Sequence, residues 1–386
     1  MDPGMDTPQH STDMVGGAAA GASATDPANE LIDEEEPEEV AIKVISNFAR
    51  DTEFLRRVWF EISILHAGQS IPQVIPLYNI ERVSYQHNPA GQLEGQLPVT
   101  LYDLHLTMEY VRWDLASLIE RGAVNTEVKI KSVICQLLLG IDALHRRKCL
   151  HRDLSSRNVL VTDQLSVFIC DFGLARLYDP EEQMSYGVIT QWYRAPEVLL
   201  DCKYGFPVDV WAVGVMMAEL FMKKHLFKGR NKDVVHQLNC ILEVLGGCPV
   251  DWLTDETKLG TASANASAYM RRQVDVKGTG LENLKFFVPC EGQEAVPRDL
   301  LSKLLCFDPS ARITAAAALD HPWFQEDDRI KSYIDEQRAY AKTVSEETFR
   351  GAASEDNFEK KIDWLVEHYR EANPSTEGES GPNAAT

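Results

Sequence analysis

Three short segments between residues 151 and 197 carry residue types that suit metal ions and phosphate. They are His-Arg-Asp-Leu-Ser-Ser-Arg-Asn at 151–158, Asp-Phe-Gly at 171–173 and Ala-Pro-Glu at 195–197. The side chains of Asp153, Asn158 and Asp171 offer hard oxygen donors, which is the ligand type that Mg²⁺ prefers. A lone aspartate is by default a turn or helix-capping residue. The order and spacing of the three segments disfavour that default reading for Asp153.

The pattern of apolar residues changes from strand-like to helical near residue 114. β-Branched or alternating runs predict strands early in the chain and again just after residue 157, and apolar residues at helical spacing predict most of the later elements. The predicted strands are 40–45, 74–85, 101–110, 158–162 and 166–170, and the predicted helices are 51–67, 126–147, 207–222, 232–245, 297–306 and 314–319. This order indicates an α+β fold with a small β-rich part and a large helical part.

With these motifs, residues 40–325 resemble the eukaryotic protein kinase family. The resemblance implies a bilobal fold, with a small β-rich N-lobe and a large helical C-lobe, and a dependence on ATP and Mg²⁺. It also implies that Asp153 orients the substrate hydroxyl and accepts its proton. Asn158 and Asp171 match the two magnesium ligands of the family.

The same resemblance assigns the residues that bind ATP. Lys43 matches the lysine that holds the α- and β-phosphates, and Glu61 on the next predicted helix matches its carboxylate partner. Without the resemblance, Lys43 reads as a solvated strand-end lysine and Glu61 as part of a solvated helix face. The residues expected around adenine and ribose are Met108, Glu109, Val111 and Asp114.

Other segments narrow the resemblance to the mitogen-activated and cyclin-dependent kinases. Residues 192–197 (WYRAPE), 263–269 and 307–313 are similar to segments of that group. The resemblance implies transfer to Ser or Thr followed by proline, in protein substrates. It also implies structural supports, an aspartate that braces the catalytic loop and a buried ion pair, at Asp209, Glu197 and Arg312.

The usual dual phosphorylation motif is changed in this chain. Mitogen-activated kinases carry Thr-x-Tyr before the Ala-Pro-Glu segment, whereas this chain has Ser185, Tyr186 and Gly187. An upstream kinase that phosphorylates Ser185 would create a group able to pair with Arg152 and Arg176. The alternative is that Ser185 is an ordinary solvated loop serine.

The catalytic loop also departs from the serine/threonine pattern. Those kinases usually place a lysine two residues after the catalytic aspartate, and this chain has Ser155. Arg157 resembles an arginine that tyrosine kinases use nearby. Its guanidinium would restore the positive charge as a planar fork.

Residues 1–37 do not resemble the glycine-rich strand pair that covers ATP in the family. They are rich in Gly, Ala and acids, and their few strong apolar residues predict disorder. Three explanations remain open: an active kinase without this cover, a pseudokinase scaffold with little ATP turnover, or an incomplete N-terminal sequence.

The net charge and the cysteines of the chain limit the partners and the cell compartment that we expect. The formal net charge is −21 for 386 residues, which disfavours nucleic acid and anionic membranes. The eight cysteines form no Cys-x-x-Cys pair, so they suit a reducing compartment, and a cytoplasmic or nuclear location is expected. The oligomeric state stays open.

The predicted domain organisation follows from these observations. The five segments are an acidic Ala/Gly tail (1–37), the N-lobe (38–110), the C-lobe (111–325), a charged helical extension (326–370) and a flexible tail (371–386).

Overall fold

The computed structural model describes residues 39–87, 99–179, 191–230, 233–247, 268–269, 271–273, 275–290, 294–343 and 358–372. The chain divides into two compact units. The first takes its described residues from Met1–Arg56, Pro76–Tyr110 and Asn357–Thr386, and the second from Arg57–Ile75 and Val111–Asp356.

The elements follow the predicted order of strands first and helices afterwards. The strands are β1 (Val40–Ile45), β2 (Leu77–His87), β3 (Val99–Glu109), β4 (Trp113–Asp114), β5 (Cys149–Leu150), β6 (Val159–Val161), β7 (Val167–Ile169) and β8 (Arg176–Leu177). The helices are α1 (Thr52–Ala67), α2 (Leu115–Arg121), α3 (Glu127–Arg146), α4 (Pro196–Leu199), α5 (Pro207–Met222), α6 (Val234–Leu245), α7 (Ala295–Leu304), α8 (Ala315–Leu319), α9 (Pro322–Gln325), α10 (Asp328–Thr343) and α11 (Phe358–Ala372).

The first unit contains an antiparallel sheet in the order β1-β3-β2. Lys43 on β1 faces Leu106 on β3 across the ladder. The side chains of Val40, Ile42 and Val44 are about half exposed, whereas Ile45 is buried. β-Branched residues favour this extended backbone, which explains why the short run 40–45 forms a strand.

Helix α11 packs on β2 of the same unit. Its apolar face consists of residues three or four positions apart, and these four side chains are buried: Phe358, Ile362, Leu365 and Tyr369. Arg82 on β2 pairs with Asp363 on α11 at 2.6 Å. This spacing is what an amphipathic helix needs to cover a sheet.

The second unit is built around two long helices that contact each other, α3 and α5. Every residue of α5 from Val208 to Met222 is buried, including the charged Asp209 and Glu219. A helix that is apolar on all sides belongs in the centre of a helical core. The charged residues in it therefore need specific partners.

Short strands of the second unit flank the loops that carry the sequence motifs. β4, β6 and β7 form one small sheet, and β5 pairs with β8. Residues 151–158 connect β5 to β6, and one residue, Cys170, separates β7 from residues 171–173. The two polar segments are thus fixed at the ends of paired strands.

Within the described residues, no helix has both the length and the apolar character required to cross a membrane.

Candidate active site

The backbone of the loop 151–158 is braced by one buried carboxylate. Asp209 of α5 accepts hydrogen bonds from the backbone N–H of His151 at 3.0 Å and of Arg152 at 2.9 Å. Its Oδ2 also lies 2.9 Å from Nε2 of His145. Arg152 has a positive φ of 69°, which is strained for a residue with a side chain. The bonds to Asp209 hold the backbone in that conformation.

The pKa of Asp209 reflects this bracing. Burial by itself would raise the pKa, because a carboxylate loses its hydration there. The hydrogen bond and charge of His145, the charge of His151 and the backbone N–H of Arg152 outweigh burial and hold the pKa below its ordinary value. Asp209 therefore remains a carboxylate at neutral pH.

Asp153 and Asn158 are joined within the same loop. Nδ2 of Asn158 donates to the backbone oxygen of Asp153 at 2.8 Å. This bond orients the amide, so the carbonyl oxygen of Asn158 is the atom that remains for a cation. Asp153 is half-buried, and its N–H donates to Nδ1 of His151 at 3.3 Å.

The Asp-Phe-Gly segment is anchored through its phenylalanine. Phe172 is fully buried, and its ring centroid lies 5.0 Å from that of His151. Nε2 of His151 lies 3.0 Å from the carbonyl oxygen of Cys170, and the N–H of Cys170 donates to the carbonyl oxygen of Asn158. These contacts join the two polar segments into one structure.

Asp171 itself is exposed and has a φ of 62°. The carboxylate of Glu61 lies close to this segment. A Cβ placed on Gly173 would lie 3.4 Å from both Oε2 of Glu61 and Oδ1 of Asp171. Glu61 is buried on α1, so its carboxylate is placed beside the Asp-Phe-Gly segment and away from the solvated face that was the alternative reading.

The donor set fits a magnesium ion. Asp171 offers an exposed carboxylate, and Asn158 offers a carbonyl oxygen whose amide nitrogen is already bonded. Mg²⁺ is commonly held by one or two protein groups, while substrate phosphates and water complete its coordination.

The residues predicted to bind ATP are divided between the two units in the sequence. Lys43 is half-buried on β1, and Met108 lies opposite Ala41 near the end of β3. The pairing of Lys43 with Glu61 stays a prediction. The N–H of Glu109 donates to the carbonyl oxygen of Pro76 at 3.1 Å.

The side chain of Glu109 has a partner in Tyr78, which donates its hydroxyl to Oε2. Burial, this hydrogen bond and the charge of Glu109 raise the pKa of Tyr78 to about 12. Val111 is half-buried, and Asp114 caps α2 by accepting from the N–H of Ser117 at 2.6 Å. The contacts expected from Glu109, Val111 and Asp114 to adenine and ribose stay predictions.

Comparison with known proteins decides the family. A family model described as a protein kinase domain matches residues 21–324. The chain belongs to the protein kinase family. The predicted membership of the protein kinase family is confirmed. The β-sheets at the start of the chain and its mostly helical remainder agree with the α+β fold of the family.

Similar proteins include mitogen-activated kinases and a cell-division kinase. The mitogen-activated protein kinase SLT2/MPK1 of Saccharomyces cerevisiae is 36% identical over 290 residues, which are 74% of this chain and 55% of the yeast protein. The mitogen-activated protein kinase spm1 of Cytospora mali is 35% identical over 294 residues, or 75% and 64% of the two chains. Cell division control protein 2 homolog 3 of Trypanosoma brucei brucei is 42% identical over 271 residues, or 69% and 82%. This kinase chain thus spans only 55–64% of the length of the first two relatives.

The structural supports predicted for the kinase domain are confirmed. Arg312 and Glu197 form a two-point ion pair, with Nη1–Oε1 at 2.7 Å and Nη2–Oε2 at 3.0 Å, and both side chains are almost completely buried. Asp209 braces the catalytic loop as described above.

The catalytic-loop substitutions of this kinase differ in exposure. Ser155 is buried, and Arg157 is exposed. An exposed guanidinium is accessible to an incoming phosphate, but its compensating role stays a prediction.

The predicted regulatory residues are only partly described. Ser185 lies outside the described residues, as does most of the segment 263–269. The Arg152 guanidinium lies 5.6 Å from the ring centre of Tyr204 and lowers the pKa of its hydroxyl, although burial raises that pKa more strongly. Arg176 lies over the ring of Phe60 at 5.4 Å and donates to the carbonyl oxygen of Ala175.

One series of hydrogen-bonded side chains inside the kinase domain was not predicted from the sequence. The hydroxyl oxygens of Ser156 and Tyr193 lie 2.6 Å apart, and Tyr193 donates to Oε2 of Glu219 at 2.7 Å. Oε1 of Glu219 lies 2.9 Å from Nδ1 of His225. The signal in the sequence is Glu219 itself, because an acid inside an otherwise apolar helix needs buried partners.

Proposed function

We propose that the chain is an ATP- and Mg²⁺-dependent protein kinase that phosphorylates serine or threonine in protein substrates. The supporting observation is the loop around Asp153, whose backbone is braced by Asp209 and whose Asn158 presents an oriented carbonyl oxygen. Phosphoryl transfer depends on positioned groups more than on covalent chemistry by the protein. A rigid loop with these side chains meets that requirement.

In the proposed mechanism, each predicted site residue has a defined role. Asp153 orients the acceptor hydroxyl and accepts its proton as the oxygen attacks the γ-phosphate, while the bond from the γ-phosphorus to the β–γ bridging oxygen breaks and ADP leaves. Asn158 and Asp171 would hold the metal ion, which would supply positive charge against the phosphates. Lys43 binds the α- and β-phosphates and Glu61 orients Lys43, and Arg157 supplies positive charge near the γ-phosphate.

The proposed specificity follows the mitogen-activated and cyclin-dependent kinases. The WYRAPE segment at 192–197 supports a preference for Ser or Thr followed by proline. The relatives support an upstream kinase as a partner, with Ser185 as its target and Arg152 and Arg176 as the phosphate-binding residues.

We also propose the finer organisation that the sequence predicts. It comprises an N-lobe (38–110), a C-lobe (111–325), a charged extension (326–370) and terminal segments at 1–37 and 371–386. Residues 1–37, whose sequence does not resemble a glycine-rich strand pair, lie outside the described residues. A cytoplasmic or nuclear location is supported by the free thiols among the described cysteines.

The second candidate function is a pseudokinase scaffold. The sequence at 1–37 does not resemble the glycine-rich strand pair that covers ATP in the family, and this difference favours little ATP turnover. A thermal-shift titration with Mg·ATP, combined with a phosphorylation assay on a proline-directed peptide, separates the two functions.

A kinase gives a stabilising shift and phosphate transfer that Asp171→Ala removes. The matched control is Asp163→Ala, which removes an exposed loop carboxylate that accepts from Trp113. A stabilising shift without phosphate transfer in the wild type would favour the scaffold. Absence of both would reject the proposed activity.

A further inference from the structure

A positively charged cavity lies beside the catalytic loop. Its volume is about 370 Å³, and it is bordered by α2, by the loop that follows α5 and by the catalytic loop itself. Apolar side chains of α2 form part of the wall. The polar residues that line it are Glu120, Ser156, Lys223, Lys224, His225 and Lys228.

The lysines of this cavity give it a local excess of positive charge. In the part of the chain that the structure describes, Lys223, Lys224 and Lys228 form no ion pair. His225 is already paired with the buried Glu219, so Glu120 is the opposing carboxylate that remains in the lining. Three ammonium groups and one carboxylate give a local excess of positive charge in a chain whose net charge is −21.

The wall that carries the lysines has a fixed backbone. Glu219 accepts from the N–H of Leu226 at 3.4 Å in addition to its contact with His225. Nε1 of Trp192 donates to the carbonyl oxygen of Gly229 at 2.8 Å, and Lys228 lies 5.5 Å from the centre of the Trp192 ring. The lysines therefore belong to a segment whose backbone is already ordered. Less conformational entropy is lost when their ammonium groups bind an anion.

The distance between Asp153 and the cavity determines which substrate position, counted from the acceptor residue, can reach the cavity. Ser156 follows Asp153 by three residues, and three residues of extended chain span at most roughly 10 Å. A peptide whose acceptor hydroxyl lies at Asp153 advances by about the same amount in three residues. A side chain about three positions from the acceptor is thus within reach of the cavity.

We propose that this cavity binds a carboxylate or phosphate group of the protein substrate, about three residues from the serine or threonine that is phosphorylated. The inference rests on the proposed kinase function and adds a substrate class, acidic or previously phosphorylated sequences. Ammonium groups bind both anions through charge-assisted hydrogen bonds, and phosphate offers more acceptor oxygens than carboxylate.

Peptide binding to the 386-residue chain tests the proposal without requiring turnover. Fluorescein-labelled peptides share one Ser-Pro acceptor and carry alanine, aspartate or phosphoserine two to four positions away on either side. Fluorescence anisotropy gives their dissociation constants. At one of these positions, the aspartate and phosphoserine peptides should bind at least about tenfold more tightly than the alanine peptide, the ratio expected for one charge-assisted hydrogen bond.

Charge variants test whether the cavity causes the preference for aspartate and phosphoserine peptides. Lys224→Glu should remove it, because Lys224 is exposed and its replacement opposes an anion. Glu120→Gln should strengthen it by roughly twofold, since a competing carboxylate is removed. Lys342→Glu, a charge reversal at an exposed lysine on α10, is the matched control and should leave it unchanged. Equal thermal unfolding midpoints exclude misfolding of Lys224→Glu.

The proposal is overturned by equal affinities for the aspartate and alanine peptides, or by a preference that persists in a Lys224→Glu/Lys228→Glu double variant. Phosphopeptide binding no tighter than that of inorganic phosphate would reject the substrate assignment. Failure of the kinase function looks different: the acidic peptide binds preferentially, yet no phosphate is transferred with Mg·ATP.

Discussion

Replacing Arg312 with alanine should destabilise the second unit by about 3–5 kcal/mol, the typical cost of removing one partner of a buried ion pair. Arg312 contacts both carboxylate oxygens of Glu197 at 2.7 and 3.0 Å, and neither side chain has appreciable exposure. It also donates to the carbonyl oxygens of Cys306, Pro207 and Phe307. The variant therefore leaves a buried carboxylate and three carbonyl groups without this donor.

Urea unfolding at pH 7, followed by circular dichroism, measures the loss. The double variant Glu197→Gln/Arg312→Met removes both charges and should recover part of the stability, since no uncompensated charge remains. Lys303→Ala is the control, because Lys303 and Asp299 form a pair that is about half exposed and should contribute at most about 1 kcal/mol. A cost below about 1 kcal/mol for Arg312→Ala would refute the argument from burial.

Four further variants test the catalytic loop and its supports. Asp153→Asn should reduce peptide phosphorylation at least about 100-fold while the Mg·ATP thermal shift persists, and comparable turnover would exclude Asp153 as the base. Asp209→Asn should lower stability at pH 7 in urea unfolding. Because the folded pKa of Asp209 is depressed, its contribution is present above the unfolded pKa of about 3.9 and is lost as pH falls through the lower folded pKa, so the difference from wild type should shrink at pH 3. A difference that is constant with pH would contradict this assignment. Tyr193→Phe should cost about 1–3 kcal/mol in thermal unfolding, since a buried oxygen of Glu219 loses its donor, and Ser156→Ala should cost less; the reverse order would argue against the hydrogen-bond chain.

Sequence reasoning located most of the longer elements because their periodicity is strong. The strand predicted at 40–45 is β1, and the helices predicted at 126–147 and 207–222 correspond to Glu127–Arg146 and Pro207–Met222. The two-residue strands β4, β5 and β8 were not predicted, since they depend on pairing between distant segments. A run of two residues carries no measurable alternation.

The site shows the same division between local and tertiary information. The resemblance to the kinase family singled out Asp153, Asn158 and Asp171, and it also predicted the bracing by Asp209 that the structure shows. The chain of hydrogen bonds from Ser156 to Glu219 was missed, because its members are far apart in sequence and only the folded core brings them together. The basic cavity was missed for the same reason.

The packing of α11 on β2 has a consequence for synthesis of the protein on the ribosome. The first unit contains residues that are translated both before and after most of the second unit. The interval between Glu109 at the end of β3 and Phe358 at the start of α11 takes roughly 10–50 s at typical translation rates of about 5–20 residues per second. During that time β2 lacks the helix that covers it in the folded protein, so the first unit cannot complete its packing until synthesis of the chain is nearly finished.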